Sequence, residues 1–144
     1  MPASLLEPSH CISNNLHKTA RAVSRIYAEE MRPAGLARSQ FAILESLEHA
    51  GALAVSELAE RLYMERTTLT RNLKPLEQGG LVVRRASETD ARVRLLEVTE
   101  KGRRKLLQAR RYWRKAQARM LERFGEEEWR RLEATLRGMG LHRR

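Results

Sequence analysis

Residues 55–85, VSELAERLYMERTTLTRNLKPLEQGGLVVRR, constrain the fold more than any other stretch. Two apolar-periodic segments lie on either side of a turn between residues 62 and 65. Val55, Leu58, Ala59 and Leu62 share one helical face, and Leu69, Leu73 and Leu76 share another. Gly79-Gly80 then stops the second helix, and the β-branched run LVVRR begins a strand over 81–85. The second helix, 65–79, is unusual inside. It opens on short hydroxyls and a cation, Thr67, Thr68, Thr70 and Arg71, and it carries Pro75. Proline withholds a backbone bond from the Arg71 carbonyl and should bend the helix there, at about 3 kcal/mol in an ideal helix. Burial of the three leucines, at roughly 1.5–3 kcal/mol each, can offset that cost.

The flanking sequence completes the pattern. Leu16, Ala20, Val23, Ile26, Tyr27 and Met31 mark a helix over 12–32 that Pro33 and Gly35 end. Ser39 is placed to cap the next helix, whose apolar face is Phe41, Ile43, Leu44 and Leu47. The short helix after HAGAL has a soft start, because Ala54 is no capping residue and Ser56 is the nearest hydroxyl. ASETD (86–90) reads as a turn and VRLLEV (93–98) as a strand paired back on the first. Thr99 caps a long helix with Leu106, Ala109, Trp113, Ala116, Met120 and Phe124 on one side. Gly125 interrupts it, and Trp129, Leu132, Leu136 and Met139 form a last amphipathic helix. Three short helices followed by a two-stranded hairpin make a winged helix-turn-helix: a mainly α fold with a small β-hairpin wing.

That architecture explains the polar helix. In a helix-turn-helix the second helix enters the major groove of DNA, and its N-terminal residues meet the base edges. Thr67, Thr68 and Thr70 are short enough to permit close approach. Their hydroxyls can serve bases or phosphates, and Arg71 can reach a guanine or a phosphate. Asn72 can read adenine if it faces the groove. The wing carries Arg84, Arg85, Arg92 and Arg94, and an arginine near a hairpin tip can enter a narrow, electronegative minor groove. Asp90 is placed to pair with Arg92 or a strand arginine. The bland alternative is a solvated hairpin whose arginines only aid solubility.

Charge agrees with a polyanion partner. The chain has 144 residues and a net charge of +10, unevenly spread. Residues 1–60 hold 5 Lys and Arg against 7 Asp and Glu, whereas residues 61–105 hold 12 against 6. Residues 106–144 hold 11 against 5, which also reads as the solvated faces of amphipathic helices. One cysteine, Cys11, permits no intramolecular disulfide and fits a reducing compartment. No apolar run approaches a membrane span and the N-terminus lacks a secretory pattern, so the expectation is a soluble, cytoplasmic, nucleoid-associated protein with no membrane partner.

Three stretches, SQFAILESL (39–47), 55–85 and DARVRLLEVTEKGR (90–103), resemble the MarR family of bacterial transcriptional regulators. The third is similar to the family's wing pattern of Asp-x-Arg followed by Leu-Thr-x-x-Gly, with Val98 in place of the leucine. The resemblance implies a homodimer built from the first and last helices that binds a pseudo-palindrome and usually represses. It implies that Thr67, Thr68, Thr70, Arg71 and Lys74 face the major groove, and that Arg92 or Arg94 enters the minor groove. Ser56, at the start of the preceding helix, joins the candidate DNA contacts. The organisation expected is an N-terminal dimerisation helix (1–36), a DNA-binding lobe (37–98) and C-terminal dimerisation helices (99–144). The C-terminal aromatics and leucines independently exceed what two helices can hide within one chain.

Similarity to the family also raises release by a signal. A small-molecule effector bound near His17, Arg21, Arg25 and Arg38 is one candidate, since cations favour a carboxylate. A redox role for Cys11 is another: a helix N-terminus and an imidazolium from His10 both favour thiolate. Against it stands an unreactive cysteine near a chain end. No cofactor and no metal is expected, because His10, Cys11 and His17 lack further ligands nearby. No phosphate loop, HExxH, CxxC or serine elbow points to an enzyme. The competing classes are a winged domain that meets an acidic protein and a non-specific nucleic-acid coat.

Overall fold

The computed structural model describes residues 3–90 and 92–139. Single 3-10 turns over Ala3–Leu6 and Pro8–His10 lead into α1, Ile12–Met31. A further 3-10 turn, Arg32–Ala34, ends where Gly35 adopts φ +64°, a left-handed conformation that glycine takes without strain. Then come α2 (Arg38–Ala50), β1 (Leu53–Ala54), α3 (Val55–Leu62), α4 (Arg66–Gln78), β2 (Val82–Ala86), β3 (Arg94–Val98), α5 (Glu100–Phe124) and α6 (Glu126–Gly138).

The start of α2 differs from expectation, while α3 starts at the expected Ala54 although it is no capping residue. Ser39 does not cap α2. Ala37 holds the N-cap position, and its N–H donates to Gln40 Oε1 at 3.0 Å. At α3 the Ala54 N–H donates to Glu57 Oε2 at 2.7 Å. In both cases a side chain three residues into the helix satisfies the cap's own N–H, so a hydroxyl at the cap is not required. Thr99 does cap α5, accepting from the Gly102 N–H at 3.0 Å.

The hairpin is also larger than a pair of strands. β1 joins it, giving a three-stranded antiparallel sheet in the order β1-β3-β2. Leu53 faces Leu96 on β3, while Val82 faces Val98 across β2 and β3. A two-residue strand carries too little periodicity to be recognised in sequence.

Met31, Ile43, Leu44, Leu47, Leu58, Leu69, Leu73, Leu76, Leu96 and Leu106 are fully buried in one core. This core ties α2, α3 and α4 to the sheet and to the first turns of α5. Further along, α5 packs against α1, and Trp113 stacks on Phe41 of α2 at a centroid distance of 6.1 Å. Elsewhere the chain leaves apolar faces uncovered. Residues 12–22 of α1 are all exposed, Ile12 and Leu16 among them, and α6 buries no residue. Among the described residues, no helix is long and apolar enough to cross a membrane.

Candidate nucleic-acid interface

α3 and α4 are joined by three residues. Tyr63 turns the chain at φ 53°, a left-handed value uncommon outside glycine, and its N–H returns to the Glu60 carbonyl at 3.1 Å. Met64 then donates to Ala59 O at 2.9 Å. These two bonds satisfy the Glu60 and Ala59 carbonyls at the end of α3 before the chain restarts as α4.

α4 buries Leu69, Leu73 and Leu76 and runs continuously through the exposed Pro75. At 3.6 residues per turn, Thr67, Arg71 and Lys74 form the stripe opposite the leucines, with Thr68 and Thr70 on its flanks. All five are exposed. Thr70 differs from the others, because its hydroxyl donates to the Arg66 carbonyl at 2.8 Å and offers only an acceptor outward. Ser56 is exposed in the first turn of α3. Asn72 does not face outward. It is half-buried, its Oδ1 accepts from Ser39 Oγ at 2.6 Å, and its Nδ2 donates to Thr68 O at 2.9 Å. The expected adenine reader is therefore engaged with α2. Arg66, exposed and without an ion-pair partner among the described residues, adds a cation at the helix start that apolar periodicity does not single out.

The wing sorts its four arginines into two pairs. Arg84 is bound to Glu77 of α4, and Arg85 pairs with Glu97 of β3 at 3.0 Å. Among the described residues, Arg92 and Arg94 have no carboxylate partner. Among the described residues, Asp90 pairs with no arginine side chain. Its Oδ1 accepts the Arg92 backbone N–H at 2.9 Å, which fixes the turn and leaves the guanidinium free. Within α4 and the wing, the exposed cations without a carboxylate partner among the described residues are Arg66, Arg71, Lys74, Arg92 and Arg94.

A cavity of about 810 Å³ lies between α1, α2 and α5. Ala20, Val23, Ser24 and Tyr27 line it from α1, Arg38, Phe41, Ala42 and Glu45 from α2, and Arg110, Trp113 and Arg114 from α5. Of the cations expected near an effector, Arg38 is on this lining, but His17, Arg21 and Arg25 are not. His17 hydrogen-bonds Ser13 O at 2.9 Å on the exposed side of α1. Arg110 makes a two-pronged ion pair with Glu45, at 2.7 and 3.0 Å. That hydrogen-bonded carboxylate pushes the guanidinium above its already high ordinary value, against a smaller opposing effect of burial. The lining aromatics Phe41 and Trp113 read as core residues in the sequence, so apart from Arg38 the lining is not singled out there. Cys11 is exposed at the N-cap of α1. No group of three or more His, Cys, Asp and Glu is placed to hold a metal among the described residues.

The MarR family profile matches residues 36–93, from the end of the α1 turn to the wing. Over 138 residues the chain is 31% identical to the uncharacterized HTH-type transcriptional regulator YxaD of Bacillus subtilis (strain 168), covering 94% of this chain and 92% of that protein. The chain belongs to the MarR family. The family is one of transcriptional regulators, which are not enzymes. The solved structure of the M. tuberculosis transcriptional regulator MosR in complex with DNA superposes with a TM-score of 0.78 at 36% identity, covering 90% of this chain and 93% of that one. The transcriptional repressor CouR bound to a 23-mer DNA duplex gives 0.84 at 26% identity, covering 97% and 98%. Some relatives match over shorter spans: the chain covers 60% of the length of the HTH-type transcriptional regulator MhqR of Bacillus subtilis (strain 168), 31% identical over 87 residues.

Proposed function

We propose that this MarR-family protein is a homodimeric repressor that binds a pseudo-palindromic DNA duplex and lets go when a small molecule fills the cavity between α1, α2 and α5. The observation that carries the DNA-binding part is the segregation of charge. α4 sets Thr67, Arg71 and Lys74 on the stripe away from the core, and the wing holds Arg92 and Arg94 free while Arg84 and Arg85 are neutralised internally. Solvent alone can support unpaired cations, but their joint presence on the outer stripe of α4 and at the wing tip is what a major-groove helix and a minor-groove wing need. In this reading Thr67, Thr68, Thr70 and Arg71 meet base edges, Lys74 and Ser56 meet phosphates, and Arg84 and Arg85 brace the wing. The likeness to MosR and CouR, both solved with DNA, supports the same partner.

The dimer follows from what α1 and α6 lack. Ile12 and Leu16 are 67% and 42% exposed, and Trp129, Leu132 and Leu136 lie on a helix with no buried residue. A second copy covers both faces by two-fold symmetry, leaving residues 37–98 as the lobe that meets DNA. Effector release is favoured by the cavity itself. Arg38 and Arg114 keep uncompensated charge beside the Phe41–Trp113 stack, which suits a flat anion.

Selection of bound duplexes from a random pool tests this reading. The expected result is two inverted half-sites separated by roughly 10 bp or a multiple of it. A pool that emerges without consensus would overturn it.

A further inference from the structure

Close packing of Leu69, Leu73 and Leu76 sets which face of α4 is buried, but apolar attraction itself has no direction. A reading helix needs more. With a radius of roughly 5–6 Å including side chains, a turn of about 20° around its axis shifts the reading groups by roughly 2 Å. Hydrogen bonds to base edges tolerate far less than that. Pro75 makes the problem worse, since it gives no N–H to the Arg71 carbonyl and loosens the ladder just behind the reading turns.

Ser39 and Asn72 supply the missing direction. Ser39 sits in the first turn of α2, and its Oγ donates to Asn72 Oδ1 at 2.6 Å. Asn72 passes the restraint on, because its Nδ2 donates to the Thr68 carbonyl at 2.9 Å. The chain of bonds runs from α2 to the turn of α4 that carries Thr67, Thr68 and Arg71. The Ser39–Asn72 bond is part-buried, so water competes weakly for it, while the Asn72–Thr68 bond lies nearer solvent. Ser39 also follows Arg38, which lines the cavity, while Phe41, Ala42 and Glu45 continue that lining along α2. α2 is therefore the wall between the cavity and the reading helix.

We infer that Ser39 and Asn72 are positioning residues that set the rotation of α4 and hence the sequence discrimination of the protein. The inference rests on the reading of α4 as the DNA-recognition helix. Neither residue contacts a base. They act through Thr67, Thr68 and Arg71, whose angle to the groove they fix.

The test compares wild type, Ser39→Ala, Asn72→Ala, the double variant and Ser39→Thr. Affinity is measured for the selected duplex and a scrambled one of equal length, at several salt concentrations, alongside a thermal melt. Each alanine variant should reduce the ratio of specific to scrambled affinity by about 3–10-fold, the scale of one hydrogen bond. The double variant should fall no further than the worse single one, because both remove the same bond. Ser39→Thr should restore the ratio, and the salt slope should stay unchanged throughout. A specific wild type whose alanine variants melt lower but keep its ratio would overturn this inference alone. A wild type with no preferred duplex would overturn the regulator reading and this inference with it.

Discussion

Gly102 lies in the first turn of α5, where alanine ordinarily improves a helix by up to about 1 kcal/mol. Here the opposite sign is expected. A Cβ built on Gly102 would stand 2.2 Å from the Leu81 carbonyl oxygen and 2.7 Å from Val98 Cγ1. The first neighbour is backbone and cannot swing aside. It also accepts the Thr99 N–H at 3.0 Å, within a seam where Thr99 Oγ1 donates to Gly80 O at 2.6 Å and Lys101 Nζ to Gly79 O at 2.8 Å. Relief of the clash needs about 1 Å of separation between α5 and the turn that links α4 to β2. Overpacking of this kind costs roughly 1–3 kcal/mol, and each weakened hydrogen bond adds about 0.5–1.5 kcal/mol. Less the propensity gain, Gly102→Ala should lose about 2–4 kcal/mol, a fall in Tm on the order of 6–12 °C for a chain of this size. Gly138→Ala is the control, because nothing lies within 4 Å of its Cβ. Thermal unfolding followed by circular dichroism decides the matter. A Gly102→Ala protein that melts at or above wild type would refute the close-packing argument.

Pro75→Ala should stabilise the fold by about 1–2 kcal/mol in urea, since Pro75 is exposed and alanine returns an N–H to the Arg71 carbonyl; an unchanged or lower midpoint would contradict this. Tyr27 is half-buried and burial pushes its phenol above the ordinary 10.0. Its contribution is full below that value and is lost as pH rises through the folded one, because the unfolded chain ionises first. Stability measured above pH 10.0 should therefore fall less steeply in Tyr27→Phe than in wild type, and parallel curves would argue against it. Leu132→Arg, on a helix with no fully buried residue, should leave the secondary structure intact and halve the mass seen by light scattering. A dimeric variant would move the interface elsewhere.

Much of this fold is legible in the chain, for identifiable reasons. Leucines at helical spacing placed α2 to α4, because the core of so small a lobe admits little else. Thr99 announced the start of α5 by a local bond, and local bonds leave local signals. What escaped depends on distant partners. β1 is a strand only because β3 lies beside it. Ser39 looks like a cap in sequence and becomes an anchor only when α4 brings Asn72 to it. Arg84 and Arg92 look equivalent along the chain. Glu77, on another element, separates them. The cavity belongs to the same class, since α5 closes it against α1 and α2, which lie far from α5 in sequence.

The account turns on the difference between paired and unpaired wing arginines, and one titration addresses it. Affinity for the selected duplex is measured against salt for wild type, Arg92→Ala and Arg84→Ala. Wild-type dimer that neutralises about eight phosphates should give a slope of log K against log salt near −7. Arg92→Ala should weaken binding and flatten that slope by about 1 per protomer. Arg84→Ala should leave the slope unchanged and show its loss in stability, because its charge is held by Glu77. Equal slopes in all three proteins, or a flatter slope in Arg84→Ala than in Arg92→Ala, would contradict the assignment of the wing tip to DNA.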